Sequence, residues 1–191
     1  GARALPLRRP YARLVAPGIA LLGDAACQVY STHGSGIGMG LVAARILADC
    51  IVSAITRRID PGGRSALWEY AATFHRRWGG LLCSADAFRR FSQTLHPGDI
   101  DRLLGHGILT RQMVADGLAQ RSARINLAQL PGQLRGASRA GDLIRRLGPV
   151  LARMPAIESV AATYPSRDRG HVEVDIYRYE RRMRWLVDSV G

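Results

Sequence analysis

Between Gly18 and Gly40 the chain sets a single carboxylate among small residues: Gly23-Asp24-Ala25-Ala26, followed by Gly34-Ser35-Gly36-Ile37-Gly38. These residue types suit the holding of a cofactor. Asp24 can accept hydrogen bonds from the hydroxyls of a ribityl or ribose chain. Gly23 lets backbone and ligand approach closely, and Ala25 and Ala26 keep the wall flat. Gly34, Gly36 and Gly38 leave bare amide groups at a helix start, where roughly half a positive charge stabilises an anion. His33, just before the glycines, has two readings: a proton donor beside a cofactor, or a side chain that caps the helix or bonds the loop. Cys27 is either a reactive thiol or a small buried residue.

These residues need a frame, and the flanking sequence supplies one. Leu5 to Pro10 is too proline-rich for a helix. Tyr11 to Val15 leads to a turn at Pro17-Gly18, and Ile19 to Leu22 reads as a buried strand ending at Gly23-Asp24. From Gly36 a helix is expected, with Ile37, Leu41, Ala44, Ala48, Ile51 and Ile55 along one apolar face. Asp60-Pro61-Gly62-Gly63 closes this unit and divides the chain into residues 1–60 and 61–191.

The second part reads as mostly helical. Leu67, Tyr70, Ala71, Phe74, Trp78, Leu81, Leu82, Ala85 and Phe88 trace an apolar stripe, with Gly79-Gly80 as the place for a bend. Pro97 to Asp101 marks another helix start, burying Leu103, Leu104 and Ile108. Gln112 to Leu118 and Gly141 to Met154 are further helices, separated by breaks at Leu130-Pro131-Gly132 and Gly136-Ala137-Ser138. Ile176, Tyr179, Met183, Leu186 and Val190 define a last amphipathic helix, although His171 to Asp175 alternates like a strand. Trp68, Trp78 and Trp185 fall at helical spacings that suit the core.

Other chemistries fit poorly. A phosphate loop needs Gly-Lys-Ser/Thr, and the chain contains no Lys. G-x-G-x-x-G fails in both registers, since Met39 or Leu41 stands where the third glycine belongs. Asp24, Ser31 and His33 share one short segment without a G-x-S-x-G elbow, so they do not form a hydrolase triad. The remaining histidines (His75, His96, His106 and His171) lie on separate segments. Cys27, Cys50 and Cys83 show no metal spacing and no disulfide framework, which points to a reducing cytoplasm and no bound metal.

The fingerprint Gly-Asp-Ala-Ala, seven variable residues, then Gly-x-Gly-Ile resembles the second flavin-binding motif of FAD-dependent oxidoreductases of the geranylgeranyl reductase and aromatic hydroxylase group. Gly23 to Ala26 and Gly34 to Ile37 fit it without a gap, and the resemblance runs from about Leu5 to about Ile55. It implies an α/β piece of a Rossmann-like FAD-binding domain, then a mainly α-helical C-terminal region. It further implies FAD contacts from Gly23, Asp24, Ala25, Gly34, Ser35, Gly36, Ile37 and Gly38. The implied reaction is saturation of isoprenoid or lipid double bonds, with NAD(P)H or a ferredoxin as electron donor; aromatic-ring hydroxylation is the alternative. A substrate tunnel lined by Phe74, Trp78, Leu81 and Phe88 would suit the former. Three positions depart from the pattern: Cys27 replaces a usual Gly, Ser31 a usual Pro and His33 a usual Ser or Thr. The group's N-terminal G-x-G-x-x-G unit is missing. The resemblance therefore implies a C-terminal fragment that alone binds FAD weakly and catalyses nothing.

The 191 residues carry a formal charge of +12, and all 27 basic residues are Arg. Such a balance admits nucleic acid, an anionic membrane surface or an acidic partner. The arginines are scattered in pairs rather than massed, as on solvated faces or in the product of a GC-rich genome. No nucleic-acid recognition motif accompanies them. Peripheral contact with lipid headgroups remains compatible with the charge.

Overall fold

The computed structural model describes residues 5–120, 140–166 and 172–189. The expected breaks at residues 130–132 and 136–138 lie outside these, as do His171 and Val190. Two short strands, β1 (Val15–Ala16) and β2 (Ile19–Ala20), pair antiparallel with Val15 opposite Ala20. Pro17 and Gly18 make the turn, and Gly18 takes φ +74°, a left-handed conformation that favours glycine. This differs from the expected buried strand over Ile19–Leu22. Ile19 is 58% exposed, and among the described residues no further strand pairs with β2.

The rest is helical: α1 (Ile37–Thr56), α2 (Arg64–Phe74), α3 (Gly80–Ser92), α4 (Pro97–Gly105), α5 (Arg111–Leu118), α6 (Gly141–Ala162) and α7 (Val172–Asp188). α1 begins where the glycines predicted, but its buried face differs. Met39, Ala43, Ile46 and Ala54 face inward, while Ile37 is 84% and Leu41 67% exposed. Helical spacing alone could not choose between two apolar stripes on one helix; docking against α2 did. By length and composition α1 could cross a membrane. Its mid-helix Arg45–Asp49 ion pair and its contact with α2 suit a helix lying on this body.

α2 runs through a π-helical stretch, His75–Gly79, directly into α3. Gly79 and Gly80 serve close approach there. A Cβ on Gly80 would lie 3.0 Å from the Glu158 Cα, and one on Gly79 would meet Ala161 at 3.7 Å, so α6 can seat against α3. α6 also outruns its expected end at Met154. It continues through Pro155 because Ile157, Val160 and Ala161 bury the same face as Leu143, Leu147 and Val150; that packing offsets the hydrogen bond lost at proline. α4 starts as expected, with His96 and Asp99 forming a reciprocal cap. Leu103 and Ile108 are buried, whereas Leu104 faces solvent.

α7 is a helix from Val172, which resolves the ambiguity of its first residues. Ile176, Tyr179, Met183 and Leu186 are buried as the spacing predicted. Trp185 is not a core residue: it is 65% exposed, while Trp68 is buried and Trp78 half-buried. One hydrophobic cluster spans the hairpin and helices α1 to α4, α6 and α7. Polar ties fix the N-terminal segment across it. Arg9 Nη1 donates to Asp188 Oδ1 at 2.6 Å, and the Tyr164 hydroxyl donates to the Ala12 carbonyl at 2.7 Å.

Candidate functional site

Gly23, Asp24, Ala25 and Ala26 form one turn of 3₁₀-helix rather than a strand end. Gly23 enters it at φ +60° and Cys27 leaves it at φ +54°. Cys27 thus holds a left-handed position suited to glycine, the residue the resembled pattern has there. Its side chain is wholly buried, and burial pushes its thiol above the ordinary range. A buried protonated thiol is inert, so the small-residue reading holds.

Two side chains that the sequence did not mark as part of the site brace this turn. The Gly23 amide donates to Gln28 Oε1 at 2.8 Å, and Gln28 Nε2 donates to the Tyr70 hydroxyl at 2.9 Å. Tyr70 in turn donates to the Leu21 carbonyl at 2.7 Å. Gln28 and Tyr70 are both wholly buried, so α2 rigidly positions the segment that carries Asp24. The apolar spacing had marked Tyr70 for the core; its hydroxyl was the available clue.

The second half of the motif is a loop held on Tyr30. Tyr30 exchanges backbone contacts with Ser35 and Gly34, and Gly34 takes φ +75°. The loop delivers Gly36 to the start of α1, where no side chain caps the helix. Here the two halves meet. A Cβ on Gly36 would lie 2.9 Å from Asp24 Oδ1 and 3.2 Å from Val29 Cγ2, so the close approach requires glycine. Asp24 itself is exposed, as are Ala25, Ile37 and Gly38, while Ser35 is half-buried.

His33 is exposed and tilted against the Tyr30 ring at 4.8 Å. Its Nε2 lies 3.2 Å from the Gly117 carbonyl, which can only accept, so the nitrogen donates and ties the loop to the end of α5. Gln120 adds a second tie, donating to Ser35 Oγ at 2.8 Å. Ser31 is 2% exposed, and its hydroxyl has no hydrogen-bond partner among the described residues.

Against this geometry, the comparisons with known proteins are informative. No protein-family model matches the chain. Over 165 residues, 86% of its length, it is 25% identical to the digeranylgeranylglycerophospholipid reductase of Sulfolobus acidocaldarius, covering 36% of that protein. Over 96 residues, 49% of its length, it is 38% identical to the ubiquinone hydroxylase UbiL of Rhodospirillum rubrum, covering 22% of that one. The chain is a distant relative of oxidoreductases. It spans about a third of the first relative and about a fifth of the second.

Away from the motif, a cleft of about 580 Å³ lies between the C-terminal half of α1 and α2, floored by Ile46, Ala54, Ala66 and Ala72. Its rim mixes Glu69 with Arg57 and Arg77, so it selects no sign of charge. Four residues were expected to line a tunnel along α2 and α3. Phe74 is wholly buried, and Trp78, Leu81 and Phe88 pack against the core. They fill space. Among the described residues, no His, Cys, Asp and Glu cluster could hold a metal.

Proposed function

We propose that this chain is the C-terminal part of an FAD-dependent oxidoreductase that reduces isoprenoid or lipid double bonds. Residues 1–60 would complete a Rossmann-like flavin domain, and residues 61–191 would form its helical companion. The observation that carries this reading is the meeting of Asp24 with Gly36 at the uncapped start of α1. Similarity to a reductase and a hydroxylase supports it.

The residues present fit a flavin. The exposed Asp24 carboxylate can accept from a ribityl hydroxyl. The first amides of α1 suit the anionic edge of a reduced ring system. The unpartnered Ser31 hydroxyl offers a further polar contact in the same loop. Gln120 stands in the way: its side-chain amide bonds Ser35 and its Oε1 would stand 3.7 Å from a Cβ on Gly38, so it must turn aside to admit a ring. When bound, the flavin supplies two-electron transfer, recharged by NAD(P)H or a ferredoxin. The protein's part is to orient that ring, hold its charge and exclude water. His33 can serve as a proton donor only after releasing Gly117.

The alternative, hydroxylation of an aromatic ring, is favoured by the higher identity to the ubiquinone hydroxylase over the shorter span. The test is oxidised-flavin absorbance of the purified parent protein and of its Asp24→Ala variant. The reading expects bound flavin that weakens at least about ten-fold in the variant, as for loss of a charged hydrogen-bond acceptor. A folded parent without flavin would refute it. Product analysis, a saturated double bond against an added hydroxyl, then separates the two reactions.

A further inference from the structure

The outward face of α7 has a composition that the core does not explain. Val174, Tyr177, Arg181 and Trp185 follow one another at helical spacing, with Arg178 and Arg182 beside them, and all six are exposed. Tyr177 is 64% and Trp185 65% exposed, unusual for large aromatic rings. Acidic residues neutralise only one cation of the stripe, Arg178, and the other carboxylates of α7 are engaged with cations outside it. Glu173 pairs with Arg13 and Arg64, Asp188 with Arg9 and Arg90, Asp175 with Arg178 and Glu180 with Arg184. Arg181 and Arg182 make no ion pair among the described residues. Arg153 of α6 adds a further cation, lying 5.8 Å from the centre of the Trp185 ring.

We propose that this face of α7 docks the protein on an anionic bilayer surface. Tyrosine and tryptophan favour the headgroup layer, where an apolar ring and a polar tip are both satisfied. The long stems of Arg181 and Arg182 can lie along the surface while their guanidinium groups meet lipid phosphates. Val174 extends the stripe with an apolar group that benefits from acyl chains and not from a phosphodiester strand. One face of the indole is already covered by Arg153, which suits an interfacial ring better than a base-stacking platform. The lipid surface is therefore the favoured occupant over nucleic acid. This inference stands apart from the flavin reading, and its readout contains no flavin.

The test is co-sedimentation of the full chain with phosphatidylcholine vesicles, with and without phosphatidylglycerol. Each arginine near an anionic surface contributes about five-fold to partitioning. The double variant Arg181→Ser/Arg182→Ser should therefore bind about thirty-fold more weakly than the parent sequence, with unchanged circular dichroism. Brominated lipids should quench part of the tryptophan emission, and Trp185→Tyr should remove that part, since Trp68 is buried and Trp78 half-buried. Equal binding to neutral vesicles, absence of binding or emission untouched by brominated lipid would each overturn the proposal. So would tighter binding to duplex DNA than to anionic vesicles at the same salt.

Discussion

His75 offers the most direct test of how the fold is held. It sits in the π-helical stretch, 1% exposed, with its ring stacked on Tyr164 at 4.3 Å. Nε2 lies 3.1 Å from the Tyr11 carbonyl and must donate to it, which leaves Nδ1 to accept from the Tyr179 hydroxyl at 3.2 Å. A neutral ring satisfies both partners; a protonated ring has no lone pair for Tyr179. Burial lowers its pKa from the ordinary 6.5 to about 4. In the unfolded chain the ring takes up a proton below about pH 6.5, while in the fold it resists until about pH 4. The stability from keeping it neutral is therefore complete above pH 6.5 and drains away as the pH falls towards 4. The loss is about 2 kcal/mol at pH 5 and about 3 kcal/mol below pH 4.

Carboxylates titrate over the same range, so the assay must isolate this residue. Urea unfolding of the native sequence and of His75→Gln at pH 7.5 and pH 5 does so. Glutamine can still donate to Tyr11, and it does not titrate. The difference in unfolding free energy between the two proteins should shrink by about 2 kcal/mol on going to pH 5. Parallel pH dependence in the two proteins would refute the argument and imply that His75 is protonated or solvated in the native state.

Three further outcomes follow from the same packing. Tyr70→Phe removes the hydroxyl that links Gln28 to Leu21, and should cost about 1–3 kcal/mol by urea unfolding, as for unsatisfied buried polar groups; an unchanged midpoint would mean that this brace is dispensable. Gly80→Val should be destabilising by about 1–3 kcal/mol, because α6 cannot keep its seat beside a branched side chain. Among the thiols, only half-buried Cys50 should react with a disulfide reagent before unfolding. Cys27 is enclosed and Cys83 is pushed up to about 12 by burial, so rapid labelling of either would show that the core opens.

Part of the backbone around the candidate site was legible in the amino-acid sequence. Gly36 precedes a helix as the glycine spacing required, and Gly34 takes the left-handed backbone that favours its residue type. The buried stripe of the last helix followed directly from its period. The misses have physical causes. Ile19 was expected to be buried because apolar runs usually are, yet burial depends on a neighbouring element that a local pattern does not contain. For α1, two apolar stripes satisfied the same period, and contact with α2 selected Met39, Ala43 and Ile46 over Ile37 and Leu41.

By itself the amino-acid sequence determined the local chemistry: where chain direction can reverse, which positions tolerate left-handed backbone, and which amides a helix start must leave bare. These depend on residues within a few positions of one another. The tertiary structure alone decided that Asp24 meets Gly36, that Gln28 and Tyr70 hold the turn, and that His75 must stay neutral. It also decided that Trp185 faces outward. Each of these depends on which surfaces come together across long stretches of chain, and burial, not residue type, sets the free energy of a polar or aromatic group once they do.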